Sequence, residues 1–182
     1  MALNESLSWN EVGNISTGSG LVRDAFQLAY GQPTKELLPA GMLLYKFNGY
    51  STLSAGIVDD DTPLSPWWSP ARAFKHDAGL EQRKSIALKN GVSLREWARL
   101  TSVIKENWNS LEWLLIVELQ EPVCAWFGGF RGMARIDAGA ISKRDGAVEA
   151  RGTGKNLPGG GTQFYIPNLK VAHIKAHYFQ PI

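Results

Sequence analysis

Apolar residues along the chain change period several times, and each change predicts an element. Val22, Ala25, Phe26 and Ala29 share one face of a short helix over residues 21–30, stopped by residues 31–33. Leu37-Leu38-Pro39-Ala40-Gly41 is a turn into the strand Met42-Leu43-Leu44-Tyr45-Lys46-Phe47. Residues 49–66 have no period. In Ser65-Pro66-Trp67-Trp68-Ser69-Pro70 each proline drives the preceding serine into extended geometry, so this segment is stiff. From Val92 helical steps return: Ser93 and Glu96 make a capping-box pattern, and Leu94, Trp97, Thr101, Ile104 and Trp108 line one face as far as residues 107–110. Arg95, Arg99 and Lys105 then fall on a solvated face.

Residues 112–119 are a strand whose Trp113-Leu114-Leu115-Ile116-Val117 run is apolar throughout, which predicts burial on both faces. Gln120-Glu121-Pro122 turns the chain into a further strand, Val123-Cys124-Ala125-Trp126-Phe127. Residues 128–158, rich in Gly and Arg, hold no sustained period, and stretches of that length inside a compact domain are functional or mobile. Residues 162–166 and 171–179 complete the sheet. The pattern predicts an α+β domain with a mixed or antiparallel sheet over residues 21–182, preceded by a flexible arm over residues 1–20, which are rich in Ser, Asn and Gly.

Composition narrows the class. A chain of 182 residues, 44% hydrophobic and 20% charged, forms one globular domain with a real core. A net charge of +2 is too balanced to favour nucleic acid or a membrane surface. The longest apolar run is too short to span a bilayer, and residues 1–20 show no secretory signal pattern. Cys124, the one cysteine, excludes an internal disulfide and a thiolate zinc site, and its apolar surroundings predict a buried thiol. Of seven tryptophans, Trp97, Trp108 and Trp113 belong in or near the core, whereas Trp67, Trp68 and Trp126 lie beside loops, where an indole can stack on a planar ring.

Several motifs are ruled out by their own chemistry. Gly154-Lys155-Asn156 lacks the first glycine of a phosphate loop and the Ser or Thr after lysine. No Gly-x-Ser-x-Gly elbow occurs. His173 and His177 lie on a strand pattern, about 13 Å apart along the rise, and do not form a zinc pair. The adjacent aspartates 59–61 lack the alternation of a calcium loop and read as solvated. What remains is Leu157-Pro158-Gly159-Gly160-Gly161-Thr162-Gln163-Phe164. Three residues without Cβ allow positive φ and close approach of the backbone to a neighbour, and Gln163 at the strand mouth both donates and accepts hydrogen bonds. A plain glycine turn with an outward glutamine fits the same residues.

Two sets of residues resemble a known family. Leu38-Pro39-Ala40-Gly41 with Leu44-Tyr45-Lys46-Phe47 resembles the opening strand of the ADP-ribosyltransferase-like toxins. Pro122-Val123 with Ala125-Trp126-Phe127-Gly128, followed by Pro158-Gly159-Gly160-Gly161-Thr162-Gln163-Phe164, resembles the tuberculosis necrotizing toxin family of NAD glycohydrolases. The resemblance spans residues 37–179 at about twenty positions. It implies split mixed or antiparallel sheets with a few flanking helices, and a bacterial effector that consumes NAD as substrate, needs no metal, and serves bacterial competition. It also implies synthesis in the bacterial cytoplasm, delivery into a target cell without a cleaved signal peptide, and a cognate immunity protein that plugs the cleft.

The implied catalytic residues are Gln163 and Ser65. The substrate-binding set is Tyr45, Lys46, Trp67, Trp68, Arg72, Trp126, Gly160 and Gly161, with Lys46 and Arg72 toward the pyrophosphate and Trp67 or Trp68 as an aromatic wall. Ser69, Glu112 and Glu118 are further candidates, and Ser65 and Ser69 serve equally well as turn caps. Two departures stand out: Lys46 occupies the position where the family usually has arginine, and the 128–158 insertion has no counterpart. Its Arg131, Arg135 or Arg144 could replace the missing guanidinium. A neutral glutamine at 163 favours hydrolysis of NAD. A mono-ADP-ribosyltransferase acting on a macromolecule, and a non-enzymatic binding module on the same scaffold, are the alternatives.

Overall fold

Seven strands form one antiparallel sheet in a computed structural model that describes residues 1–54, 56–144 and 154–182. In chain order these are β3 (Thr34–Leu38), β4 (Leu43–Asn48), β5 (Trp67–Pro70), β6 (Trp113–Leu119), β7 (Val123–Gly129), β10 (Thr162–Tyr165) and β11 (Ile174–Pro181). Their order across the sheet is β11-β6-β4-β5-β10-β7-β3. Two small ribbons pair β1 (Ser16–Thr17) with β2 (Gly20–Leu21), and β8 (Met133–Ala134) with β9 (Asn156–Leu157). The helices are α1 (Trp9–Val12), α2 (Leu80–Lys89) and α3 (Leu94–Thr101). The α+β class with a mainly antiparallel sheet is therefore as the sequence predicts.

Alternation along the strands divides the core. Leu115, Val117 and Leu119 of β6 join Leu44, Phe127 and Phe164 in one cluster. Leu114 and Ile116 face the other way and pack with Tyr45, Phe47, Leu80 and Ala98 beneath α2 and α3. Both faces of β6 are covered, as its unbroken apolar run requires. A third cluster, Val12, Val22, Phe26, Trp126 and Tyr165, joins the N-terminal segment to β7 and β10.

That third cluster corrects the expected arm over residues 1–20. Asn4 is buried and its amide donates to the carbonyls of Cys124 (3.4 Å) and Pro167 (2.6 Å). Ser8 and Glu11 close a capping box on α1, and Val12 is fully buried. Polar residues here are used up in caps and in long-range hydrogen bonds, so their number says nothing about order. The expected helix over residues 21–30 is instead two 3-10 turns, Val22–Ala25 and Leu28–Tyr30, separated by an extended Phe26 that enters the third cluster.

Helix α3 has its Ser93 cap, with Oγ accepting from Glu96 N at 3.0 Å, but it stops at Thr101, short of the expected end. Arg99 is fully buried and its Nη1 donates to the carbonyls of Ile104 (3.1 Å) and Asn109 (3.2 Å), drawing the following chain back over the helix end. Arg95 and Arg99 are thus buried, and the solvated face expected for them is absent. Helix α2 was not expected. Its apolar positions hold no clear stripe, and Gly79 starts it at φ 84° without a side-chain cap. Trp68 and Trp126 lie in the core, whereas Trp108 is 40% exposed, the reverse of their expected places.

Candidate functional site

A cleft of about 450 Å³ lies where β4, β5 and β10 run side by side. That volume is within the range of roughly 300–1,000 Å³ usual for small-molecule sites. Tyr45 and Lys46 of β4, Ser65, Trp67, Trp68 and Ser69 in and before β5, and Gln163 of β10 all line it. The strand order explains their convergence: Tyr45 is paired with Ser69, and Trp68 with Phe164 next to Gln163.

Gln163 is almost fully buried and sits opposite Gly128 in the sheet. Its Nε2 donates to the Ala25 carbonyl at 3.0 Å, and the same oxygen accepts from Arg131 N at 3.1 Å. The 3-10 turn of the N-terminal segment therefore orients the motif glutamine. Its neighbour Thr162 is pinned twice: Oγ1 donates to Asp77 Oδ2 at 2.5 Å, and its carbonyl accepts from Ser69 Oγ at 2.9 Å.

Lys46 brings an uncompensated charge to the cleft. Burial pushes its ammonium down to about 8, and Nζ lies 5.5 Å from the Trp68 ring centroid. No carboxylate among the described residues pairs with it. Burial pushes the Tyr45 phenol up to about 12, helped by Asp77 and opposed by Arg83, so it stays a neutral donor at ordinary pH. The Trp68 indole is aimed by its Nε1, which donates to the Ser65 carbonyl at 2.7 Å. Ser65 Oγ accepts from Trp67 N at 3.4 Å, so its hydroxyl serves as a turn cap within the cleft wall. Trp67 packs edge-on against Tyr165 with centroids 4.6 Å apart.

The other candidates lie elsewhere. Arg72 is exposed in the turn after β5 and does not line the cleft. Trp126 is a core residue of the third cluster. Gly160 and Gly161 do not line the cleft either, because the glycine loop makes its close approach to protein. Gly159 N donates to Leu100 O at 3.0 Å and Gly161 N to Thr101 O at 3.1 Å, satisfying the last carbonyls of α3. Gly159 and Gly160 have φ of 80° and 103°, and a Cβ on Gly161 would lie 2.1 Å from Arg83 Nη2. Glu112 and Glu118 are also outside, with Glu118 3.3 Å from Lys175. His173 accepts from Lys170 N through Nδ1 and its Nε2 is 3.5 Å from Glu121; among the described residues no cluster of metal-ligating side chains forms.

The three arginines of the 128–158 insertion separate. Arg135 is buried, with Nη1 3.0 Å from Glu96 and 3.4 Å from Glu106. Arg144 stands 3.9 Å from Glu96 and 3.6 Å from Glu106. Arg131 alone of the three lines the cleft. Sequence reasoning missed Thr17, Asp24, Ala25, Val103, Trp108 and Phe130, which are among the other lining residues. None carries a local signal, since each arrives by long-range packing of segments that read as arm, helix end or insertion.

Fold and cleft define a mainly antiparallel α+β protein with a polar-and-aromatic cleft. No family model, curated protein or solved structure matches the chain. Among the described residues no helix is long and apolar enough to cross a membrane.

Proposed function

We propose that the protein is an NAD-consuming toxin domain with an ADP-ribosyltransferase-like sheet, hydrolysing NAD to nicotinamide and ADP-ribose. One observation carries this reading: six residues named as candidates from the sequence, Tyr45, Lys46 and Gln163 from the resembling motifs and Ser65, Trp67 and Trp68 from the stiff aromatic segment, come from three separate stretches of chain and line one cleft.

The chemistry suits these groups. Breaking the bond between ribose C1′ and the cationic nicotinamide nitrogen releases a good leaving group through an oxocarbenium-like state, and water supplies the new C1′–O bond. Positioning and preorganised polarity are then the main catalytic terms. Trp67, the partly exposed indole of the pair, stacks on the nicotinamide, Lys46 meets the pyrophosphate, and the Gln163 amide orients water or the ribose hydroxyls. Asp24 is the one carboxylate among the described lining residues, so the cleft relies on orientation rather than a strong base. A cognate inhibitor protein would act by filling the space between Trp67 and Gln163.

Nicotinamide release from NAD alone, by the wild type and Gln163→Ala, tests the reading. The variant is expected to lose on the order of 10²–10³ in rate, as when one oriented donor is removed from a polar site. Release only when cell lysate is added would instead identify a transferase with a macromolecular acceptor. No release under either condition would leave a binding module.

A further inference from the structure

Arg131 combines a fixed backbone with a side chain that has no close partner among the described residues. Phe130 N donates to Gly161 O at 3.0 Å, and Arg131 N to Ala25 O at 3.1 Å. Gly132 is pressed against the carbonyls of Leu157 and Pro158, which a Cβ would approach to 3.0 and 3.2 Å. The side chain is 55% exposed, and its one ion pair among the described residues, to Asp24 Oδ1, is long at 3.9 Å. Asp24 has a separate duty, accepting from Leu21 N through Oδ2 at 3.0 Å. Among the described residues, the charged groups that line the cleft are thus Asp24, Lys46 and Arg131, a surplus of one positive charge.

Two cations in one cleft, one unpaired and the other weakly paired, suit a ligand with charge at two adjacent positions. We propose that Arg131 is a second anion-binding side chain of the cleft, which with Lys46 takes the two phosphates of a diphosphate ester and exchanges Asp24 for a phosphate oxygen. This rests on the reading that the cleft takes a dinucleotide, and narrows it to the diphosphate as the group recognised. Arg131 supplies the planar, two-pronged contact that a lysine at position 46 cannot. A residue of the insertion thereby replaces what the opening strand lacks.

Calorimetric titration of the full chain with ADP and with adenosine tests the assignment. Arg131→Ala is expected to weaken ADP about 10- to 100-fold, the scale of a lost charge-assisted hydrogen bond, and to leave adenosine unchanged. Arg131→Lys should recover part of the loss, because the charge returns without the fork. Asp24→Asn should tighten ADP several-fold, since the amide still accepts from Leu21 N but no longer competes as an anion. An unchanged melting temperature in Arg131→Ala separates lost contact from lost fold. The assignment is overturned if Arg131→Ala binds ADP as the wild type does, or if the wild type binds ADP no more tightly than adenosine. A nicotinamide-release assay on the same samples keeps the two readings apart. Arg131-dependent ADP binding without NAD cleavage would sink only the hydrolase. Cleavage with ADP binding indifferent to Arg131 would sink only the diphosphate contact.

Discussion

Lys46 lies along the Trp68 ring, in a cleft where no described carboxylate offsets its charge, and burial lowers its ammonium to about 8. The folded protein holds this proton less tightly than the unfolded chain, whose lysines titrate near 10.4. Below pH 8 both states are protonated and the penalty on folding is complete; it fades as pH rises from about 8 toward 10.4. Binding of the proposed anionic ligand would run the other way, because an anion needs the protonated form. We expect kcat/KM for NAD to fall as pH rises through about 8, and Lys46→Arg to remove that fall, read from a pH–rate profile. Gln163→Ala should leave the fold nearly intact, at a cost of about 1 kcal/mol in denaturant unfolding, because the Ala25 carbonyl keeps its bond from Arg131 N. Lys46 and Gln163 were both legible as candidates from residue type and motif. That Gln163 is held by Ala25 was not, because those residues are 138 positions apart.

At the level of elements, the glycine loop and α3 act as one unit. The loop's N–H groups close the last carbonyls of α3, and Arg83 fills the space that a side chain at 161 would need while donating from Nη1 to Ser102 Oγ at 2.7 Å. Gly161→Ala would bring its Cβ within 2.9 Å of Thr101 O as well as against Arg83. Overpacking of this kind costs about 1–3 kcal/mol, and thermal unfolding should show it. Nicotinamide release should drop in the same variant, since Gln163 is two residues downstream. The run of glycines showed from sequence alone that the backbone must approach something closely. Which neighbour it approaches depended on where α3 ends, and that end is set by the buried Arg99 rather than by apolar spacing.

For the whole molecule, the insertion is joined to the helical layer by buried charge. Arg135 Nη1 meets Glu96 of α3 and Glu106, and Ser142 Oγ donates to Glu106 Oε2 at 2.9 Å. Arg135→Ala would remove a buried cation that Glu96 and Glu106 share, and breaking a buried pair costs on the order of 3–5 kcal/mol. Arg144, close to both glutamates, should hold the loss near the lower figure, and urea unfolding would measure it. Strands β4, β6, β7 and β10 could be read from the chain because a strand's period is written in neighbouring residues and both faces of this sheet are covered. The short, nearly unbroken apolar runs therefore determined the α+β class and the central strands by themselves. Tertiary structure decided that residues 1–20 pack on the sheet, that Arg95, Glu96 and Arg99 are buried, and which side chains share the cleft. A polar or charged residue is buried only where a distant partner satisfies it, as Arg135 does for Glu96 across 39 positions, and no local pattern encodes that partner.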